Sequence, residues 1–348
     1  MRRFEYSLLK HLRLPMETVN LISKINEYKG KQDLYIQQAP QILKSLKDVA
    51  VIQSTKASNA IEGIFITDKR LKGLMKLKTI PSDRSEGEIA GYRDVLNLVH
   101  ASHQAIPVNT NVILQLHKEL HNYIPAEGGK WKHADNVITE KLPNGQKVIR
   151  FQPVSAYETP DAMDSLCNEL NERVSKEDVE PLILISVFIL DFLSVHPFND
   201  GNGRMARILT LLLLYKHQFE VGRYISLEKV IEDTKEGYYE TLRQSSQGWH
   251  EGKNDIFPWV NYILSTIVAA YKELESRVGF VQTGKGNKAA RIKKYIENKI
   301  GFFTKEDIRK ACPDVSESTI NRVLNELKDK GVVEPTGLGR GAKWKKIQ

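Results

Sequence analysis

A short run between two apolar stretches, residues 194–207, collects side chains that can bind phosphate and accept a proton. His196 can accept a proton near neutral pH. Asp200 is a hard oxygen ligand that suits Mg²⁺ held largely by phosphates. Arg204 and Arg207 lie one turn apart on the helix predicted to follow, so both guanidiniums can reach one polyphosphate. These residue types at this spacing indicate a site that binds phosphate and moves a proton.

Two glycines shape the backbone of this run. Gly201 and Gly203 let the chain turn its N–H groups inward and approach a ligand closely. They lead into a helix N-terminus, which favours anions. Each feature alone has an ordinary structural explanation, since a histidine at a helix end usually serves packing and arginines on a helix usually cover its surface. Their combination within one short segment favours the functional interpretation.

The same residues carry a family resemblance. The run resembles the signature of the Fic family, His-x-Phe-x-Asp/Glu-Gly-Asn-Gly-Arg-x-x-Arg, with no departure from it. In this chain the signature reads His196-Pro197-Phe198-Asn199-Asp200-Gly201-Asn202-Gly203-Arg204-Met205-Ala206-Arg207. The resemblance implies transfer of AMP from ATP to a protein hydroxyl, with pyrophosphate as the leaving group.

The resemblance also implies a role for each residue of the signature. His196 is expected to deprotonate the target Ser, Thr or Tyr, and Asp200 to hold the Mg²⁺ cofactor on the α- and β-phosphates of the substrate ATP. Arg204 is expected to bind the β-phosphate and Arg207 the γ-phosphate. The remaining expected ATP and phosphate residues are Gly201, Asn202 and Gly203, which cradle the phosphates, and the intervening Met205 and Ala206.

Two tyrosines further along the chain join this prediction. Tyr238 and Tyr239 belong to a segment, residues 238–242, that resembles the part of Fic proteins packed near adenine and ribose. The alternative is that both rings are ordinary helix core. We predict a nucleotide-binding role for them.

A second resemblance lies upstream, at the end of a helix predicted over about residues 41–63. Residues 58–63 fit the Ser/Thr-x-x-x-Glu-Gly/Asn pattern of the inhibitory helix of Fic proteins, with Ser58, Glu62 and Gly63 at the fixed positions. In the family this glutamate pairs with the second arginine of the signature, here Arg207. A bidentate pair would occupy the guanidinium that should hold the γ-phosphate. The alternative is a helix that simply ends at Gly63, with Glu62 in solvent.

A β-hairpin is predicted between the two motifs, over residues 137–151, from two β-branched runs around Pro-Asn-Gly. It falls where the family has its flap, an exposed edge strand that aligns the target peptide by strand addition. The expected docking residues are Val137, Ile138 and Thr139. Residues 152–154, Gln-Pro-Val, depart from the usual Pro-Pro, and the turn at 143–145 is longer, which leaves the choice of target open.

Most of the remaining sequence has helical periodicity. Residues 181–195 are apolar nearly all round, so this helix is predicted to lie in the middle of a bundle. The other helices are predicted over residues 41–61, 85–102, 109–122, 162–170, 204–217, 238–244 and 255–275. The His-Lys-Glu-Leu-His run at residues 117–121 has its Glu in the wrong place for a zinc protease motif and is predicted to be helix surface.

The last segment has a pattern of its own. We predict an N-terminal helical region over residues 1–100, a Fic core with its following helices over 101–278, a linker over 279–288 and a winged helix-turn-helix over 289–348. Residues 284–348 contain 16 Lys and Arg against 8 Asp and Glu, which accounts for the whole net charge of +8. Concentrated positive charge is typical of polyanion binders. The pattern of this segment predicts three helices followed by a β-hairpin, and the outward residues of the third helix, residues 316–330, would be Ser318, Thr319, Asn321, Arg322 and Asn325.

Composition excludes several classes of protein. The 348 residues are 41% hydrophobic and 27% charged, as in a soluble globular protein rather than a disordered or membrane one. Cys167 and Cys312 are too few for a disulfide framework and lack metal spacing, so we expect them to be buried or inert. The basic N-terminus is not followed by an apolar segment. We expect a cytoplasmic protein without a membrane partner.

The sequence thus predicts a mainly α fold: a Fic helical bundle with a small β-hairpin flap and a C-terminal winged helix-turn-helix. The predicted function is a Mg²⁺-dependent protein adenylyltransferase that modifies an unidentified target protein and itself and is inhibited by Glu62. Two alternatives stay open: hydrolytic removal of AMP at the same site, and a DNA-binding regulator with a nucleotide-sensing core. The C-terminal domain could also serve protein–protein contacts or a homodimer instead of DNA.

Overall fold

The computed structural model describes residues 4–38, 40–76, 79–141, 146–282, 288–299, 302–313, 315–337 and 342–347. In chain order the helices are α1 (Met16–Gln38), α2 (Pro40–Ile61), α3 (Asp68–Met75), α4 (Arg84–Ser102), α5 (Thr110–Leu120), α6 (Thr159–Lys176), α7 (Pro181–Val195), α8 (Asn202–Lys216), α9 (Leu227–Asp233), α10 (Lys235–Ser246), α11 (Phe257–Gln282), α12 (Lys288–Asn298), α13 (Lys305–Ala311) and α14 (Glu317–Asp329). The strands are β1 (Ile138–Lys141), β2 (Lys147–Phe151), β3 (Phe303–Thr304), β4 (Val333–Pro335) and β5 (Lys343–Lys346). The predicted mainly α fold with small sheets is therefore confirmed. Within these ranges, none of the helices combines the length and the apolar composition needed to cross a membrane.

The chain divides into two compact units. The N-terminal unit contains Met1–Gln32 and Lys47–Tyr271, and the C-terminal unit contains Asp33–Leu46 and Lys272–Gln348. The segment Asp33–Leu46 comes from the end of α1 and the start of α2, which the sequence analysis assigns to the N-terminal helical region. A continuous helical pattern gives no sign of which unit the two ends of a helix join.

Helix α7 forms the core of the N-terminal unit. All of its residues from Leu182 to Val195 are buried, and it packs against α6 and α8. Pro181 occupies the first turn, where its missing N–H costs nothing, and the Glu180 side chain accepts a hydrogen bond from the N–H of Ile183. The prediction of a central helix in a bundle is confirmed.

Two glycines bring α4 and α5 into close contact. A Cβ at Gly87 would meet the carbonyl oxygen of Tyr123 at 2.6 Å, and one at Gly91 would overlap the backbone carbonyl of Leu120. The side-chain-free face of α4 therefore lets the end of α5 approach its backbone. This contact fixes α5 beside the loop between α7 and α8.

The predicted hairpin is present as β1 and β2, which pair antiparallel. Ile138 lies opposite Phe151, and the register is irregular between Ile138 and Thr139. Such an irregularity bends a strand and increases its twist. Val137 precedes β1, and the turn at residues 142–145 lies outside the described residues.

The C-terminal unit has α12, α13 and α14 with a three-stranded antiparallel sheet in the order β3-β5-β4. Thr304 caps α13 in a reciprocal capping box with Asp307, as expected of a helix start. The strand β3 is a finding beyond the prediction of three helices and a hairpin, because two residues are too short to leave a pattern. The unit's core consists of Ile292, Ile296, Phe303, Ile308, Cys312, Val315, Ile320, Val323, Leu324, Leu327, Val333 and Trp344. The winged helix-turn-helix assignment stays a prediction.

The predicted linker is partly helical. Residues 279–282 are the last turn of α11, and Lys288 is the first residue of α12. This helix is predicted to end at residue 275, although apolar residues at 274, 278 and 281 continue the helical period. The rest of the predicted linker, residues 283–287, lies outside the described residues.

Both cysteines are buried and neither forms a disulfide. Burial raises the pKa of the Cys167 thiol to about 12. A thiol this weakly acidic carries almost no thiolate at neutral pH, which agrees with the predicted inert role.

Candidate active site

The signature loop joins α7 to α8, and two residues with left-handed backbone angles shape it. His196 ends α7 with a φ of 50°, and Gly201 precedes α8 with a φ of 82°. A side chain at position 201 would be strained, and its Cβ would lie 3.0 Å from Cε1 of His121. The Asn202 amide accepts a hydrogen bond from the Phe198 N–H at 2.9 Å and donates one to the Phe198 carbonyl at 2.8 Å. The Asn202 side chain thus holds the loop together.

His196 faces a cavity of about 110 Å³. Its Nδ1 lies 3.4 Å from the carbonyl oxygen of Leu193, which can only accept, so the proton is on Nδ1 and Nε2 is basic. Burial, together with the nearby Lys132 ammonium, lowers the pKa of His196 to about 4. The imidazole is therefore neutral and able to accept a proton at neutral pH. The other residues lining the cavity are Glu62, Ile138, Arg150, Leu193, Gly203, Arg207, Tyr238, Tyr239 and Leu242.

Arg204 belongs to a closed ring of four charged side chains. Its Nη1 donates to Oε2 of Glu88 at 3.0 Å and its Nη2 lies 3.3 Å from Oδ1 of Asp200. Arg84 completes the ring, because its Nε donates to Oε1 of Glu88 at 2.6 Å and its Nη2 to Oδ2 of Asp200 at 3.0 Å. Arg204 and Glu88 are buried, whereas the Arg84 side chain is 64% exposed. Sequence reasoning missed both Arg84 and Glu88.

Asp200 fits the cation that the family resemblance implies. Burial alone would raise the pKa of its carboxyl, but Arg204, the Gly201 N–H and Arg84 hold that pKa below its ordinary value, so the group is ionised. One half-exposed carboxylate beside an anion site is the donor set that Mg²⁺ uses when phosphates supply most of its ligands. No cluster of three or more His, Cys, Asp or Glu side chains in the described part of the chain could hold a metal ion alone. A cation here would depend on the phosphates.

Arg207 is 97% buried and is held from α2. Its Nε donates to Oγ of Ser58 at 2.8 Å, and its Nη2 donates to the Ser58 carbonyl at 2.9 Å and to Oε1 of Glu62 at 2.8 Å. Glu62 and Arg207 therefore form an ion pair, but the prediction that it is bidentate is wrong. Glu62 accepts a hydrogen bond from Nη2 alone, and Ser58 accepts hydrogen bonds from Nε and Nη2. Nη1 of Arg207 is buried without a hydrogen-bond partner, which leaves a cationic donor for a ligand.

The turn that follows α2 carries Glu62 into the cavity. Gly63 has a φ of 81°, a left-handed angle that lets the chain leave the helix there. Lys235 of α10 donates to the carbonyl oxygen of Ile61 at 2.5 Å and so fixes the helix end. On the opposite side, a Cβ at Gly203 would overlap Oε1 of Glu62. The signature glycine thus allows the carboxylate to lie directly against α8.

His117 of α5 and His121, which directly follows this helix, lie next to the loop. Nδ1 of His117 accepts a hydrogen bond from the Gly129 N–H at 2.9 Å, so its Nε2 carries the proton and donates to the Asp200 carbonyl at 3.0 Å. His117 also stacks on Phe198 with ring centroids 3.6 Å apart. His117 and His121 are both buried, so the prediction of helix surface is wrong. That prediction tested the pair only against zinc spacing.

The remaining predicted site residues occupy different positions around the cavity. Tyr238 is buried and Tyr239 half-buried, with their rings 5.3 Å apart. Met205 and Ala206 are buried in the core of the unit. On the flap, Ile138 lines the cavity that contains His196, whereas Val137 and Thr139 are exposed.

The fold is a helical bundle whose central helix α7 ends in a loop that carries a neutral histidine and leads into the N-terminus of α8. Residues 107–214 match the model of the Fic/DOC family, which identifies this part of the chain as a Fic domain.

Curated relatives carry a more specific description. The chain is 22% identical over 254 residues to a protein adenylyltransferase Fic of Nematostella vectensis, a match that covers 70% of this chain and 53% of the relative. It is 26% identical over 237 residues to protein adenylyltransferase fic-1 of Caenorhabditis elegans, which covers 66% of this chain and 41% of the relative. The match therefore spans about half the length of these relatives or less.

Solved structures agree on the fold. A Fic family protein of Desulfovibrio desulfuricans G20 superposes with a TM-score of 0.62 at 21% identity, covering 97% of each chain. A Fic domain containing signaling protein of Bacteroides thetaiotaomicron gives a TM-score of 0.59 at 22% identity, over 74% of this chain and 94% of the other. At these identities the similarity establishes the fold alone.

Proposed function

We propose that this protein is an adenylyltransferase that moves AMP from ATP to a Ser, Thr or Tyr hydroxyl of a target protein and of itself. The observation that carries the proposal is the meeting, around one cavity, of a neutral histidine with the buried Arg207, one turn after the buried Arg204 at the start of α8. The names of the curated relatives support it at the level of the family. No target protein is specified by these observations.

The proposed reaction needs a base, an aligned nucleophile and charge neutralisation. Nε2 of His196 accepts the proton of the target hydroxyl as its oxygen attacks the α-phosphorus, and pyrophosphate leaves. Arg204, the unpartnered Nη1 of Arg207 and the first backbone N–H groups of α8 bind the phosphates. When bound, Mg²⁺ at Asp200 neutralises phosphate charge.

Glu62 would restrain this reaction. Its carboxylate accepts a hydrogen bond from Arg207 and lies against Gly203, where the terminal phosphate has to approach. ATP would then bind only in a pose whose α-phosphorus is misaligned for attack. Because Glu62 and Arg207 belong to one chain, we propose inhibition in cis.

The flap would align the target. Its strand β1 begins at Ile138, which lines the cavity beside His196, and the neighbouring Thr139 is exposed. A peptide that adds to the edge of β1 would lie across the mouth of the cavity, with main-chain hydrogen bonds setting its register. This geometry would select an extended segment rather than a helix as the modified site.

The intact mass of three forms after incubation with Mg²⁺ and ATP tests the proposal. Glu62→Gly should gain one or more AMP masses, because Arg207 is released to hold the γ-phosphate. The wild type should gain little. Glu62→Gly/His196→Ala should gain none, because no other base faces the attacking hydroxyl in the described cavity.

Two results would contradict the proposal. If none of the forms gains mass while the wild type binds ATP, self-modification is not its output. If wild type releases AMP from a pre-modified protein and Glu62→Gly does not, the result favours the hydrolase alternative. In that alternative, Glu62 aligns the attacking water. That alternative has one supporting observation, since Glu62 and His196 line the same cavity.

The C-terminal unit favours a second candidate function, binding of duplex DNA. Residues 284–348 carry the whole positive excess of the chain, and Ser318, Arg322 and Asn325 are exposed on α14. The logarithm of the association constant for a defined duplex should fall linearly with the logarithm of the salt concentration, because phosphate contacts release counterions. Binding without such a slope, or no binding at low salt, would contradict this candidate.

A further inference from the structure

The ring around Arg204 contains an arginine that lies outside the signature. Arg84 is the first residue of α4, and its guanidinium contacts both Glu88 and the signature residue Asp200. Glu88 serves both arginines, with one carboxylate oxygen for each. The guanidinium of Arg84 is the solvent-exposed member of the ring, whereas Arg204 is 99% buried.

The charges of the ring explain why an anion site needs Arg84. Two guanidiniums and two carboxylates give the ring a net charge of zero. Without Arg84, Arg204 would be left with Asp200 and Glu88, and the ring would be one unit negative. A polyphosphate approaching the start of α8 would then meet a net repulsive cluster in a partly buried setting, where charges are screened less than in water.

We propose that Arg84 is a third cationic residue of the phosphate site, which contacts the β- and γ-phosphates, and that Glu88 positions both Arg84 and Arg204 for them. This inference rests on the proposed nucleotide binding and extends it to α4. Nε of Arg204 is buried without a hydrogen-bond partner, so Arg204 keeps a free donor although Glu88 holds the other end of its guanidinium. The exposed Arg84 side chain can leave Asp200 for the phosphates, and its guanidinium fork matches phosphate oxygens.

Nucleotide binding measured by calorimetry tests this inference without turnover. The parent is the full chain with Glu62→Gly/His196→Ala, which cannot transfer AMP and has no carboxylate on Arg207. Adding Arg84→Ala should weaken ATP binding by about tenfold, the loss expected for one charge-assisted phosphate contact. AMP binding should stay unchanged, because AMP lacks the β- and γ-phosphates.

The cation dependence gives an independent readout. The loss of ATP affinity in Arg84→Ala should be larger in EDTA than in Mg²⁺, because a divalent cation at Asp200 replaces part of the missing positive charge. Arg84→Lys should retain part of the affinity, since it keeps the charge without the fork. Arg84→Ala/Glu88→Gln should bind ATP more tightly than Arg84→Ala, because the second change returns the ring to neutrality.

Lys176→Ala is the matched control, because it also removes an exposed positive charge from an ion pair, here with Glu172 on α6. It should leave ATP affinity unchanged. Equal losses for ATP and AMP in Arg84→Ala would overturn the inference, and so would an unchanged ATP affinity. If the parent itself fails to bind ATP, the proposed function fails first, and this inference falls with it.

Discussion

The low pKa of His196 predicts that the rate of catalysis depends on pH well below the range in which a histidine usually titrates. Its pKa is lowered to about 4, mainly by burial. A general base acts in its unprotonated form, so kcat/KM for self-modification by Glu62→Gly should be flat from about pH 6 to 8 and fall as pH drops through about 4. The pH profile of the initial rate of AMP incorporation measures this.

Circular dichroism at each pH is the control, since unfolding in acid would also lower the rate. A midpoint near the ordinary histidine value of about 6.5, with the fold intact, would mean that the free base is exposed in the working enzyme. It would contradict the lowered pKa of His196.

At this scale, the sequence points to residues that belong to short motifs. His196, Asp200, Arg204, Arg207 and Glu62 follow from motif and spacing, and the structure brings them to adjoining positions. Arg84 and Glu88 could not be found this way, because they meet the signature from 116 positions away in the chain.

The sequence around His117 contains a pattern that predicts its burial. In α5 the buried residues are Ile113, Leu116, His117 and Leu120, a stripe at helical spacing. A histidine on the apolar stripe of an amphipathic helix is expected to face the core. The stripe therefore predicts a buried His117 even though it cannot name the Asp200 carbonyl as its acceptor.

At the scale of elements, α2 is held in place by a buried polar cluster as well as by Arg207. Oγ of Ser54 on α2 donates to Oε2 of Glu228 at 2.6 Å, and the Tyr92 hydroxyl on α4 donates to Oε1 of Glu228 at 2.8 Å. Ser226 donates to the same carboxylate at 3.2 Å. Glu228 is 99% buried, so its carboxylate depends on these three donors for hydrogen bonds that water cannot supply.

Tyr92→Phe should loosen this attachment without opening a cavity. Loss of one hydrogen bond to a buried carboxylate should lower the free energy of unfolding by about 1–3 kcal/mol. Because α2 carries Glu62, self-modification should also rise above the wild-type level, though less than in Glu62→Gly. Urea unfolding and intact mass measure the two effects.

Tyr262→Phe is the matched control, since its hydroxyl shares an exposed hydrogen bond with Thr234. It should change stability by no more than about 0.5 kcal/mol and leave self-modification unchanged. If Tyr92→Phe lowers stability with no rise in self-modification, the cluster supports the fold but does not set the position of the inhibitory turn.

Element boundaries were predicted well where caps are local and poorly where packing decides. The helix predicted over residues 41–61 is observed as Pro40–Ile61, with its end at Glu62 and Gly63 as expected. The helix predicted over 85–102 is observed as Arg84–Ser102, behind an Asp83 cap. The close approach of α4 to α5 at Gly87 and Gly91 left no such local signal, because it depends on the partner helix.

At the scale of the molecule, charge and architecture were predictable to different degrees. The concentration of basic residues after position 284 is a property of composition and needs no structure. The assignment of Asp33–Leu46 to the same unit as Lys272–Gln348 depends on contacts between segments more than 200 positions apart. Helical periodicity carries no information on such pairings.

Nucleotide binding and the inhibitory pair should be linked in the stability of the N-terminal unit. Arg207 is 97% buried, so Glu62→Gly leaves its charge less compensated and should lower stability without nucleotide by about 1–3 kcal/mol. A ligand at a hundred times its Kd stabilises a protein by about 2.7 kcal/mol, and a tighter complex is stabilised more at the same concentration. Mg²⁺ and ATP should therefore raise the Tm of Glu62→Gly/His196→Ala by more than they raise that of His196→Ala, by about 2–4 °C for each additional kcal/mol.

Both forms in this comparison lack the base, so AMP transfer cannot contribute to the shift. AMP is the ligand control: it has no γ-phosphate to compete with Glu62 for Arg207, and it should raise the Tm of the two forms equally. Equal shifts with ATP as well would mean that Glu62 and the terminal phosphate occupy separate positions. Inhibition would then have to act on the alignment of the α-phosphorus without any competition for Arg207, and the hydrogen bond between Glu62 and Arg207 would serve stability alone.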